Sequence, residues 1–167
     1  MSLTIEHEGK NYENWTAADL ADAGVPAGVI GAALKAQATK TVAAFADRYR
    51  ARLASASAGK LAEYRIKEEI ARDPATAKQA ELDLLSREAA ARGMDQSGLL
   101  TLIGSQANAY REIALLIGVL EAETGAAIDA VPADAEDVET QLNAVLLNAH
   151  NEAEVAYSAS VLQIANN

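Results

Sequence analysis

Two histidines, His7 and His150, are the first places to look for chemistry in this chain. His150 and Glu154 are four residues apart, so on a helix they share a face one turn apart and offer a metal ion two ligands. Structural and catalytic metal sites take at least three protein ligands, and the sequence nearby supplies no third. The serines stand in no nucleophile-elbow pattern and have no base spaced to activate them. No glycine-rich run leads into Lys-Ser or Lys-Thr, which excludes a phosphate loop. Lys67, Glu68 and Glu69 read as charges on a helix surface. Cysteine is absent, removing disulfides, thiolate ligands and thiol nucleophiles. The residues thus point to no enzyme, no metal and no cofactor. Tyr12 and Trp15 remain, a pair that either binds a ligand or partner or anchors a small hairpin.

Charge narrows the partners. With 14 Lys and Arg against 24 Asp and Glu, the net charge of −10 argues against nucleic acid and against anionic membrane surfaces. The distribution is lopsided: basic residues outnumber acidic ones between Lys35 and Arg72, and none follows Arg111. Such a pattern makes either a solvated helix face or a basic stretch that meets the acidic end of a neighbouring copy. The N-terminal MSLTIEHEGK has no basic region followed by an apolar core, so no secretory signal is read and a cytoplasmic chain is expected.

Half of the 167 residues are apolar, yet aromatics make up only 4%, and alanine dominates the rest. That composition suits thin helix-on-helix packing better than a thick core. The expected fold is mainly α: long helices in a coiled-coil-like bundle or rod, with a small N-terminal β-hairpin. LTIEHEGKNYENW alternates around Glu8-Gly9-Lys10, and Leu3, Ile5, Tyr12 and Trp15 form the side that docks. Thr16 caps a short helix with Asp19, and Gly24 ends it. Helix restarts at Pro26 and runs as one element, bent near Gly59, to Arg72. Its stripe is Ile30, Leu34, Ala38, Val42, Phe45, Tyr49, Leu53 and Ala56. Asp73-Pro74 stops it. The next helix carries Leu82, Leu84, Leu85 and Ala89 and closes at Gly93, and Asp95 caps its successor. Pro132 and the polar PADAED lead into a last helix bearing Val138, Leu142, Val145 and Leu146, continued by Val155, Val161, Leu162 and Ile164. Three segments follow: 1–25 as a docking element, 26–131 as the long-helix region, and 132–167 as an acidic helical end.

From Ile113 to Leu120 no side chain is polar. Arg111, Glu112, Glu121 and Glu123 bracket the run, which is far shorter than the roughly 20 residues a membrane span needs, so membrane insertion is excluded. Leu99, Ile103, Gln106, Tyr110, Ile113, Ile117, Leu120, Thr124, Ala127 and Val131 advance by alternating steps of four and three, a heptad line. Leu115, Leu116 and Val119 lie off that line, so the helix is apolar on more than one side and needs more than one partner. Packing within the chain and a seam between copies both remain open. The seam is expected, with a trimer compatible, although a line mixing Ile, Leu, Tyr and Ala selects no number.

The stretch from Gly59 to Val131 also resembles a helical segment of small tail-region proteins of tailed bacteriophages. The residues that carry the resemblance are Tyr64 and Lys67, Asp73-Pro74, Glu88-Ala89 and Gly93, Tyr110, Leu120-Glu121 and Ala126-Ala127. This chain has Tyr110 where those proteins have a tryptophan, and Thr124 where a basic residue is common. The resemblance implies a non-enzymatic virion component, tail or tail-fibre associated, with other tail proteins as partners. Its place would be the virion, and the host cytoplasm during assembly. The alternatives are an assembly chaperone or adaptor absent from the mature particle, and a small ligand-binding module or enzyme using Tyr12 and Trp15.

Overall fold

The computed structural model describes residues 2–53 and 58–165, with side chains described at all of these except 53, 58 and 160–165. The chain opens with an antiparallel pair, β1 (Ser2–His7) and β2 (Lys10–Thr16). Helices follow: α1 (Ala17–Asp22), α2 (Ala27–Leu53), α3 (Ala58–Arg72), α4 (Gln79–Ala91), α5 (Gln96–Ala130) and α6 (Val138–Ala165), with a 3-10 turn at Pro74–Thr76. The mainly helical fold with its N-terminal hairpin is as the sequence predicts. One long helix from Pro26 to Arg72 is also predicted. The structure describes two, α2 and α3, and the stretch 54–57, next to the predicted bend, lies outside the described residues. Leu53, Ala56, Val161, Leu162 and Ile164 likewise fall outside the described side chains.

Local chemistry sets the hairpin. Glu8 and Gly9 have φ of 50° and 75°, the pair of positive values that a two-residue type I′ loop requires. Ile5 pairs with Tyr12 and Leu3 with Trp15, so one residue of β1 faces two of β2. The extra residue is a bulge at Glu13-Asn14, with Asn14 at φ 59°. It turns Trp15 to the same side as Tyr12, and the two rings meet edge-on at 5.1 Å. At the end of β2 the Thr16 hydroxyl accepts the Asp19 N–H at 3.1 Å, and Asp19 Oδ2 accepts the Thr16 N–H at 3.1 Å. This capping box starts α1. Gly24 at φ 81° ends the turn after it.

The chain folds as two compact units, one of Met1–Arg50 with Leu116–Val155 and the other of Ala51–Leu115 with Ala156–Asn167. These units cut across the segments 1–25, 26–131 and 132–167, because α2, α5 and α6 each contribute to both. In the first unit Leu3 and Tyr12 of the hairpin join Leu20 of α1, the α2 stripe Ile30, Leu34, Ala38 and Val42, Ile128 and Val131, and Val138, Leu142 and Leu146 of α6. The α2 stripe continues through Ala46 and Tyr49, while Phe45 is half-buried. In the second unit Ile70, Leu85, Ala89 and Leu99 form the core that joins α3, α4 and the start of α5. Asp95 caps α5 there by accepting the Gly98 N–H at 2.6 Å.

One close approach governs the first unit. Gly31 of α2 is buried against the link after α5, where an added Cβ would lie 1.8 Å from the Ala133 carbonyl oxygen. A turn further along α2, Lys35 donates to the carbonyls of Asp129 at 2.8 Å and Val131 at 2.9 Å. The last turn of α5 holds no basic residue of its own, so α2 supplies the cation that its C-terminal carbonyls attract. Replacing Gly31 by Ala is expected to cost about 1–3 kcal/mol in urea unfolding, because backbone must shift. Gly104→Ala, whose new Cβ meets nothing, is expected to gain up to about 1 kcal/mol. Equal effects at the two sites would contradict this packing.

Candidate functional site

The residues with the best claim to chemistry have other occupations. Glu154 accepts the Tyr49 hydroxyl at 2.6 Å, and the His150 ring lies 5.8 Å from that of Phe45. The pair that could have offered two metal ligands instead fastens α6 to α2. Among the described residues no group of three or more His, Asp or Glu side chains converges to hold a metal. Of the four docking residues, Leu3 and Tyr12 are in the core and Ile5 packs half-buried against it. Only Trp15 keeps an exposed face, at 38%, beside an open depression lined by Glu13, Asn14 and Asp19. The hairpin is therefore part of the core of the first unit.

What stands out is α5, a helix with two apolar faces. Along the predicted heptad line Leu99, Ile113, Ile117, Thr124 and Val131 are buried by this chain itself. Ile103, Leu120 and Ala127 are half-buried, and Gln106 and Tyr110 are exposed. Thr124 can be buried because its hydroxyl donates to the Leu120 carbonyl at 2.6 Å. Ala109 and Ile128, off the line, are also buried. An α-helix turns every 3.6 residues, so a heptad line drifts by about 20° per repeat, and by its end Ile128 has replaced Ala127 on the inner side.

The opposite face has no cover among the described residues. Leu115 is 72% exposed and Val119 49%, and Ala122 and Ala126 continue their line on the open side. Gly118 and Gly125 accompany them, and a Cβ at either would meet nothing within 4 Å. Mid-helix glycine costs roughly 1 kcal/mol against alanine, and packing within the chain does not explain either one. A face of this kind gains free energy when another apolar surface covers it. No helix among the described residues is long and apolar enough to cross a membrane.

Charges fix the helices around these faces. In the first unit Arg50 pairs with Glu121 of α5 and with Asp47 at 3.1 Å, and hydrogen bonding to Glu121, then to Asp47, holds its guanidinium above the ordinary range. Here the basic stretch meets the acidic end within one chain. In the second unit Lys67 donates to Glu63 and Glu88, both at 2.6 Å, and Arg92 reaches Glu88 at 2.6 Å. Glu68 joins Arg72 to Arg111 of α5. Sequence spacing suggests the pairs four residues apart, whereas Lys67–Glu88 and Arg111–Glu68 arise only from helix packing.

Comparison with protein-family models, with curated proteins and with solved structures finds nothing that matches this chain.

The Lys67 cluster gives the second unit a pH signature. Burial disfavours the Lys67 ammonium, but its bonds to Glu63 and Glu88 outweigh this and raise it above the ordinary 10.5. Hydrogen bonding from Lys67 holds Glu88 and Glu63 below the ordinary 4.5. The carboxylates therefore add stability that is full above the ordinary carboxylate range and is lost as pH falls through their depressed values. Lys67 adds stability that is full below 10.5 and is lost as pH rises through its raised value. In Lys67→Met the Glu88 carboxyl is expected to titrate closer to its ordinary value by NMR, and the stability lost between neutral and acid pH to be smaller than in the wild type. An unchanged Glu88 titration would contradict the assignment.

Proposed function

We propose that this chain is a non-enzymatic structural protein that works by helix-mediated self-association and docking to neighbouring proteins, as a tail or tail-fibre-associated component of a phage virion. The observation that carries the self-association is the uncovered face of α5, where Leu115, Val119, Ala122 and Ala126 line up without a charge among them. Covering it is worth several kcal/mol at about 25 cal/mol per Å² of apolar surface. The resemblance of residues 59–131 to phage tail-region proteins supports the setting, where repeated copies on a symmetric particle need such surfaces.

The same face also serves a helical assembly chaperone or adaptor that leaves before the particle matures. This second reading is favoured by one observation: much of the heptad line is covered by the chain's own helices, so fewer apolar residues remain for a permanent seam. Mass spectrometry of purified particles separates the two, since the chaperone should be missing from them.

Light scattering tests the association itself. The wild-type chain is expected to form an oligomer, and Leu115→Glu with Val119→Glu to return it to monomer with its helical circular dichroism intact. Ile113→Glu with Ile117→Glu is expected to lose helicity, because both side chains are buried within the chain. A wild-type chain that stays monomeric at high concentration would overturn self-association and leave the adaptor.

A further inference from the structure

The open face of α5 has a match elsewhere in the same chain. On α4, Ala80, Leu84, Arg87 and Ala91 are all exposed and follow one another by steps of four, three and four. Leu115, Val119, Ala122 and Ala126 on α5 repeat those steps. Leu84 is 61% exposed, a large side chain without cover, while Gly118, Ala122 and Gly125 leave a shallow track without side-chain bulk. Set antiparallel, the two lines put Leu84 against Ala122, Val119 against Arg87, Leu115 against Ala91 and Ala126 against Ala80. Large then meets small, which lets the helix axes approach to the lower end of the usual 8–10 Å.

Charge fits the same pair. The exposed flank of the α5 line carries Glu123, and Arg87 stands about one turn from it in this register. Among the described residues neither side chain has an ion-pair partner in its own chain. Pairing α5 with a second α5 would set acid against acid, since Glu112, Glu123 and Asp129 border its face. The α6 face around Leu147 and Val155 has no cation at all, because no Lys or Arg follows Arg111. The exposed line Ala36, Lys40 and Ala44 of α2 offers a cation without a large apolar side chain.

We propose that the α5 face of one copy is filled by the α4 face of a second copy, with Leu84 seated over Ala122 between Gly118 and Gly125, and Arg87 paired with Glu123. This rests on the reading of the chain as self-associating and names the surfaces that do it. The contact joins two different patches: repeated in one direction it builds rings or extended arrays, and made reciprocally it closes a two-fold dimer. A single helix pair buries less than the roughly 800 Å² per partner of a stable complex, so association depends on concentration and on repetition.

The test is sedimentation of the full chain as wild type, as Arg87→Glu, as Glu123→Arg, and as an equimolar mixture of the two variants. Both substitutions are at exposed positions, and circular dichroism checks that each variant is folded. The wild type is expected to associate, each variant alone to weaken association at least tenfold, and the mixture to recover it. Recovery follows because every contact between unlike variants again sets a cation against a carboxylate. A wild-type oligomer that neither reversal affects would overturn this interface and leave self-association standing. A wild-type chain that is monomeric throughout would overturn both.

Discussion

Backbone packed against backbone at Gly31 and Ala133 is the constraint from which the rest of the first unit follows. A chain this rich in alanine and poor in aromatics cannot fill a wide gap between helices, so its helices must come close. The missing side chain at Gly31 and the small one at fully buried Ala38 permit that approach. Lys35 then holds the end of α5 by its free carbonyls. Once that end is fixed, the rotation of α5 about its axis is fixed as well. Ile117, Thr124 and Ile128 turn inward, and Val119, Ala122 and Ala126 are left outside.

Much of this was legible because it is local. The capping box at Thr16, the positive-φ turn at Glu8-Gly9, the Asp73-Pro74 break and the Asp95 cap each depend on a few neighbouring residues whose chemistry has one good solution. The α2 stripe was legible to within a residue: Ala46 is buried where Phe45 is expected, since four-residue steps and seven-residue steps drift apart along a straight helix. Trp15 falls three residues after Tyr12, and only a bulge brings such a pair to one side of a strand.

What could not be read is what depends on distant partners. Lys35 acts on carbonyls more than ninety positions away, and Tyr49 on a carboxylate at a similar separation. Neither is implied by any spacing. The choice between the faces of α5 was hidden for a different reason. A helix apolar around most of its circumference satisfies an inner and an outer partner equally well as a pattern, and only the packing of α2 and α6 decides which side the chain covers for itself.

One face of α5 is buried within its own chain, and the other is the one proposed to meet a second copy. The chain has no cysteine, so single thiols report on each face without interference. Thiol-labelling rates of Ile117→Cys and Val119→Cys in the native protein, measured across a range of concentrations, distinguish the two faces. Slow labelling of Ile117→Cys is expected at every concentration, and fast labelling of Val119→Cys in dilute solution that slows as the chain is concentrated. Equal rates at the two positions, or a Val119→Cys rate indifferent to concentration, would contradict this arrangement.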